Sequence, residues 1–107
     1  MNFNEYQKEA HKTAVYPEYL GFVYLPLGLA AEAGEVAGKI SKIVRGDGKI
    51  EEKKKEEIAQ ELGDTLWFIA ETASLLGFTL DEVAQMNIKK LKDRHERNVI
   101  KGDGDNR

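Results

Sequence analysis

The 107-residue sequence contains no cysteine, which excludes disulfide bonds, thiolate metal sites and thiol catalysis. It also lacks a basic surplus, since sixteen Lys and Arg stand against nineteen Asp and Glu, a formal net charge of −3. General nucleic-acid binders carry such a surplus, so we expect no nucleic-acid partner. No unbroken apolar run approaches the ~20 residues of a membrane helix, and no signal peptide is recognisable. We therefore expect a cytoplasmic protein without a membrane partner.

Proline is scarce, and Pro17 and Pro26 both lie in the first quarter of the chain. From Leu27 onward the sequence has helical periodicity, interrupted only by glycine-containing turns at 45–49 and 76–79. No segment alternates with the period of a strand. We predict an all-α fold of four helices, in one domain over residues 1–98, followed by a polar tail over 99–107.

Four helices follow from the turn signals. A short helix is predicted from an Asn4 cap, and a last one over about 79–97 from a capping box formed by Thr79 and Glu82. Between them, two long helices joined by a short glycine turn should pack antiparallel as a central αα-hairpin, giving a four-helix-bundle type of domain. The third helix is apolar on more than one side. A chain this small has a modest core, so we expect it to oligomerise through its helices.

Two pairs of acidic residues mirror each other about the hairpin turn. Glu32 and Asp64 each lie sixteen residues from Gly48, and Glu35 and Glu61 each lie thirteen from it. Each pair is spaced three apart and so shares one helical face. A hairpin folded symmetrically about Gly48 would bring all four carboxylates to one depth, roughly 20 Å from the turn.

Four crowded carboxylates repel each other unless a cation neutralises them. Mg²⁺ prefers such oxygen ligands and also binds phosphate oxygens, which indicates hydrolysis at phosphorus; Mn²⁺ is the natural substitute. Small residues surround the acids, including Gly28 and Gly34. We expect them to leave space for another group beside the carboxylates. The alternative is an acidic solvent-exposed surface, because acids spaced three apart are common on charged helices.

Candidate substrate contacts lie on three helices. Viewed down the helix axis, Lys39 points between the directions of Glu32 and Glu35. Asn87, Lys90 and Arg94 share one face of the fourth helix. Phe68, one turn beyond the second acidic pair, is the aromatic residue best placed to pack against a base. Each has a structural alternative: a helix ion pair for Lys39, a solvated edge for the fourth helix, and core or interface packing for Phe68.

The segments 28–36 (GLAAEAGEV) and 61–67 (ELGDTLW) resemble the E-x-x-E … E-x-x-D signature of the MazG-like family, the all-α nucleoside triphosphate pyrophosphohydrolases. The resemblance continues through Leu80 to Ala84, Asn87 and Lys90, and so covers most of the chain. It implies Mg²⁺-dependent hydrolysis of (deoxy)nucleoside triphosphates to monophosphate and pyrophosphate, by a homodimer or homotetramer.

The resemblance also implies roles for individual residues. Glu35 becomes the candidate base that orients or deprotonates the attacking water. The tail is similar to that of single-domain members and could fold over a neighbouring site. Two other readings stay open, a non-catalytic helical dimerisation or adaptor domain and a same-fold enzyme with a narrow substrate such as dUTP, dCTP or a phosphoribosyl intermediate. The implied metal ligands are Glu32, Glu35, Glu61 and Asp64, and the implied substrate contacts are Lys39, Asn87, Lys90 and Arg94.

Overall fold

Two long antiparallel helices joined by a short turn form the centre of the molecule. The computed structural model describes all 107 residues and contains no strand. The first helix packs against the third and fourth, and the fourth helix makes no close contact with the second. This confirms the predicted all-α class and its central hairpin. The elements are α1 (Phe3–His11), a 3₁₀ turn (Glu18–Leu20), α2 (Gly21–Arg45), α3 (Glu52–Leu75) and α4 (Leu80–Glu96).

The turns that define the hairpins have the predicted chemistry. Thr79 and Glu82 form the complete capping box at the start of α4. Gly77 and Gly48 have φ values of +83° and +74°, in the left-handed region where a side chain would be strained. Local sequence signals therefore set where α3 ends and α4 begins.

Polar side chains of α1 fix that helix to the start of α4. Asn2, rather than Asn4, caps α1, because its side chain accepts from a backbone N–H in the first turn. Asn4 instead accepts from the N–H of Asp81 at 3.1 Å. Buried Gln7 accepts from the N–H of Leu80 at 2.8 Å and donates to the Ser74 hydroxyl at the end of α3 and to the Phe78 carbonyl beyond it. The prediction of Asn4 as the cap was wrong because its partner lies 77 residues away.

Helix α2 begins at Gly21, earlier than the predicted onset near Leu27, and Pro26 lies within it. Proline lacks the N–H that would bond to the carbonyl one turn earlier, so the helix loses one hydrogen bond there. Leu25, beside this proline, is fully buried. Its packing favours continuation of the helix through a residue that the sequence pattern treats as a boundary.

The isolated chain has little interior. Ten of its 107 residues are buried, and its radius of gyration is 16.6 Å, against about 13 Å for a compact chain of this length. Large apolar side chains of α2 are left exposed, among them Phe22 at 70%, Leu27 at 66% and Val44 at 71%. Apolar surface of this extent is typical of a face covered by another chain.

The segment Glu18–Arg45 is long and apolar enough, by length and composition alone, to cross a membrane, and little of it is buried within the chain. Charged residues interrupt its apolar ones, so no unbroken apolar run in the sequence indicates this helix. A core helix of a soluble protein passes the same test. Here α2 packs along α3 and carries Glu32, Glu35 and Lys39, charges that are costly within a bilayer.

Candidate metal and nucleotide site

Three carboxylates from the two hairpin helices converge in the structure. One oxygen each of Glu32 on α2 and of Glu61 and Asp64 on α3 lie within 4.8 Å of one another. Glu32 and Glu61 are half-buried, and Asp64 is exposed. We call these three residues the acid cluster. The antiparallel hairpin thus brings three of the four acids with mirrored spacing together across the helix interface.

The charges of the acid cluster are poorly compensated. Burial, a hydrogen bond shared with Glu61 and the negative charges around it raise the pKa of Glu32 above its ordinary value. The only positive group within 4.0 Å is the Lys39 ammonium, whose Nζ lies 4.0 Å from Oε1 of Glu61. A set of oxygen ligands with excess negative charge is the donor set that hard divalent cations bind. The residues present therefore fit such an ion.

Glu35 lies outside the group of three. Its side chain is exposed on α2, and its carboxylate is close enough for its charge to contribute to the raised pKa of Glu32. Glu35 is spaced three residues from Glu32 and shares its helical face. It therefore borders the cluster, in a position open to solvent.

An aromatic group flanks the acid cluster on the side away from the hairpin turn. The Phe68 ring centroid lies 4.9 Å from that of Trp67 and 5.7 Å from that of Tyr24. A Cβ built on Gly28 would lie 2.0 Å from Cε1 of Phe68. Any larger residue at position 28 would therefore clash with the Phe68 ring. By contrast, nothing lies within 4 Å of a Cβ built on Gly34. The two glycines expected to provide room around the acids therefore have different surroundings.

Tyr6 of α1 is a neighbour of the site that the sequence did not single out. Its side chain is half-buried, and burial, followed by the charge of Asp64, raises the pKa of its phenol. The hydroxyl is therefore protonated at neutral pH. Helical periodicity does not predict this neighbour, because it depends on how α1 docks.

No hydrogen bond or ion pair joins the candidate substrate residues of α4 to the acid cluster, and α4 does not contact α2. Asn87 is exposed. Buried Arg94 donates to the backbone carbonyl of Asp105 at 2.8 Å, and Lys90 Nζ lies 3.4 Å from the same residue's carboxylate. The hydrogen bond from Arg94, then the charge of Lys90, lower the pKa of Asp105. The tail thus folds back on α4 and is bound by two side chains expected to contact phosphate.

A second carboxylate on α3 has a different environment. Glu71 follows Asp64 by about two turns and is 1% exposed. Both of its oxygens lie within hydrogen-bonding distance of Nδ1 of His11, at 3.0 and 3.1 Å. The sequence pattern does not predict this pair, and the His11 side chain itself remains 67% exposed. The signal available was the spacing of seven residues, which places Glu71 on the helical face of Asp64.

Comparison with known proteins identifies the family. The MazG nucleotide pyrophosphohydrolase domain matches residues 24–99, most of the chain, and the protein belongs to this family. The gene 37 protein of Mycobacterium phage L5 is 41% identical over 114 residues, with 100% of both chains covered. The uncharacterised protein YvdC of Bacillus subtilis strain 168 is 30% identical over 98 residues, covering 86% of this chain and 92% of YvdC. No solved structure matches the chain.

Family membership confirms the resemblance seen in the two acidic segments. The matched region includes α3, α4 and all of α2 from Tyr24 onward, and so contains the whole acid cluster. The family implies a nucleoside triphosphate substrate and is generally dependent on a divalent metal.

Proposed function

We propose that this protein hydrolyses (deoxy)nucleoside triphosphates to the monophosphate and pyrophosphate, in the cytoplasm and with Mg²⁺ or, in its place, Mn²⁺. The observation that carries the proposal is the acid cluster: Glu32, Glu61 and Asp64 converge within 4.8 Å, with Lys39 as the only cation near them. Crowding acids in this way is unfavourable in the absence of a cation. Its position within a MazG-family hairpin supports a catalytic purpose.

Glu32, Glu61 and Asp64 would hold the cation, with Glu35 as a fourth ligand or as the base. The bound ion supplies neutralisation of polyphosphate charge and favours hydroxide formation from water. Water attacks the α-phosphorus, and the bond from that phosphorus to the oxygen bridging it to the β-phosphorus breaks. Glu35 is the candidate acceptor of the proton that the water loses. Pyrophosphate leaves with the bonding electron pair.

Phe68 and Lys39 would bind the two ends of the substrate. Phe68 is half-buried against Tyr24 and Trp67, which leaves part of its ring available to a base. Lys39 lies beside Glu61 and would contact phosphate once a cation neutralises that carboxylate. Preorganised charges and correct positioning of the substrate supply most of the rate enhancement in phosphoryl transfer.

We also propose that the working form is a homodimer or homotetramer. Support comes from the exposed apolar side chains of α2 and from the radius of gyration of 16.6 Å. Exposed Asn87 and Lys90 could then reach a substrate from a neighbouring subunit, since α4 lies away from α2 within one chain. Buried Arg94 would first have to release Asp105. Light scattering coupled to size exclusion should give a mass of two or four chains. A monomer would contradict this.

A product assay tests the activity. The metal-supplied, folded protein is incubated with a panel of canonical, deoxy and damaged nucleoside triphosphates, and pyrophosphate and inorganic phosphate are measured separately. We expect pyrophosphate and monophosphate in equal amounts from at least one substrate. Activity confined to dUTP or dCTP would identify the narrow-substrate enzyme. Release of no pyrophosphate from any nucleotide would overturn the proposal and favour the helical adaptor.

A further inference from the structure

The tail, residues 99–107, is a small loop closed by its own last residue. The guanidinium of Arg107 donates to three backbone carbonyls of this segment. Two of them, at 3.1 Å, belong to Val99 and Ile100. A Cβ built on Gly102 would lie 2.5 Å from Cδ of Arg107, so a side chain at position 102 would meet the arginine. The tail therefore holds its shape largely through contacts within itself.

One residue attaches this loop to α4. Arg94 donates to the backbone carbonyl of Asp105 at 2.8 Å and to its carboxylate at 3.3 Å. Lys90 donates to the same carboxylate oxygen at 3.4 Å. No other hydrogen bond or ion pair joins residues 100–107 to the helices. Two cationic side chains of α4 thus converge on a single oxygen of the tail.

The tail covers Arg94. The side chain of Arg94 is 5% exposed, and Asp105 is the only residue to which its guanidinium donates. Lys90 is exposed, and the carboxylate of Asp105 is more exposed still. An anion from solution therefore has access to Lys90, but it has little access to Arg94 while the tail is in place.

An external oxyanion could replace the carboxylate of Asp105 at little cost. Guanidinium and ammonium groups bind phosphate oxygens as well as carboxylate oxygens. An exposed ion pair contributes little to stability, so the carboxylate is readily displaced. A buried guanidinium without any anion is unfavourable, however. Release of the tail is therefore favoured when a second anion takes the place of Asp105.

We propose that the tail is an autoinhibitory segment, in which Asp105 competes with the polyphosphate of the substrate for Lys90 and Arg94. Substrate contacts both side chains only in molecules whose tail has been displaced. The apparent affinity for substrate is then reduced by the fraction of molecules in the displaced state. This inference rests on the proposed function, in which these two side chains contact phosphate, and it adds regulation to that function.

Calorimetric titration with inorganic pyrophosphate in metal-free buffer tests the competition without requiring turnover. Without a cation the acid cluster repels the anion and should not bind it. Asp105→Asn removes the competing charge, and the Kd for pyrophosphate should decrease by about threefold to fivefold, the range expected for one exposed ion pair. Equal helical circular dichroism establishes that the variant is folded.

Asp103→Asn is the matched control. It changes the net charge equally, two residues away in the same tail, at an exposed side chain that forms no hydrogen bond or ion pair. It should change the Kd by less than about twofold. In the presence of Mg²⁺, the KM for a triphosphate should decrease in Asp105→Asn by a factor similar to that of the Kd, and not in Asp103→Asn.

Three results would overturn the autoinhibition: a Kd in Asp105→Asn that is unchanged or weaker, equal tightening in Asp103→Asn, or no pyrophosphate binding by any of the three proteins. A weaker Kd would instead make Asp105 a residue that positions Arg94. Failure of the proposed function is separable from these results. A chain whose Asp105→Asn variant binds pyrophosphate more tightly but hydrolyses no triphosphate retains the competition and loses the enzyme. A chain that hydrolyses triphosphates, with an unchanged or raised KM in Asp105→Asn, retains the enzyme and loses the autoinhibition.

Discussion

Helix α3 carries carboxylates in two contrasting environments about two turns apart. Glu71 is 1% exposed, and both of its oxygens lie within 3.1 Å of Nδ1 of His11. Glu61 and Asp64 are more accessible, yet they share their site with Glu32 and have a single ammonium group at 4.0 Å. The more buried carboxylate thus has the better protein partner.

The contrast separates a structural acid from a functional one. A buried carboxylate that stabilises the fold needs a donor, because an unsatisfied charged group costs free energy. Acids held together without donors are unfavourable for folding and indicate that the compensating charge comes from outside the chain. Four variants or conditions test this difference, from the largest expected effect to the smallest.

Asp64→Asn removes a charge from the acid cluster while keeping the side-chain shape. We expect kcat/KM for triphosphate hydrolysis to fall by at least about 100-fold, because a cation ligand is lost. Glu56→Gln, an exposed acid elsewhere on α3, is the matched control and should retain activity. Steady-state kinetics at saturating Mg²⁺ measures both. Equal activity in the two variants would mean that Asp64 is an ordinary surface acid.

His11→Ala leaves the buried Glu71 carboxylate without its partner. The free energy of unfolding should fall by about 1–3 kcal/mol, whereas kcat should stay close to that of the unmodified protein. Urea denaturation measures the loss, and His95→Ala, which removes an exposed histidine of α4, serves as the control. If His11→Ala and His95→Ala lower stability equally, the Glu71–His11 pair has no special structural role.

Gly28→Ala tests the junction between the aromatic group and the acid cluster. The new methyl would meet Phe68 at 2.0 Å, so overpacking should lower the free energy of unfolding by about 1–3 kcal/mol. Gly34→Ala, where no atom lies within 4 Å, should instead raise it by up to about 1 kcal/mol through helix propensity. Thermal denaturation compares the two, and shifts of the same sign would contradict the assigned packing.

The metal-free protein should lose stability as the pH rises. The pKa of Glu32 is raised in the folded protein above the ordinary 4.5, so between these two values the folded state binds more protons than the unfolded state. The contribution of Glu32 to the free energy of unfolding is therefore largest below about pH 4.5. It is lost as the pH rises through the pKa that Glu32 has in the folded protein. Thermal melts of the metal-free protein over this pH range should detect the decrease.

Two controls accompany the pH measurement. Glu32→Gln should remove most of the shift, because the titrating carboxylate is gone. Mg²⁺ at neutral pH should raise the melting temperature, since a ligand that binds only the folded state stabilises it. The repulsion among the carboxylates of the acid cluster would be refuted if the melting temperature of the metal-free protein rose with pH over this range and Glu32→Gln removed the rise.

Local patterns predicted much of the fold. The Thr79–Glu82 capping box and Gly77 were readable because each acts within a few residues. The mirrored spacing about Gly48 was enough to predict that Glu32 lies near Asp64. The start of α2 was not predicted, because proline usually marks a helix boundary. Here the helix continues through Pro26, beside the buried Leu25.

Contacts between distant segments account for what the sequence did not predict. The contact of Arg94 with Asp105 and that of His11 with Glu71 each depend on how two segments dock. Helical periodicity gives the face of a residue but not its partner across the interface.

Calorimetric titration of the unmodified chain with Mg²⁺ at neutral pH tests the central claim most directly, that the acid cluster is a cation site. We predict saturable binding that Asp64→Asn abolishes and that Glu56→Gln leaves unchanged. Binding of the same strength in all three proteins, or no binding in any of them, would contradict it.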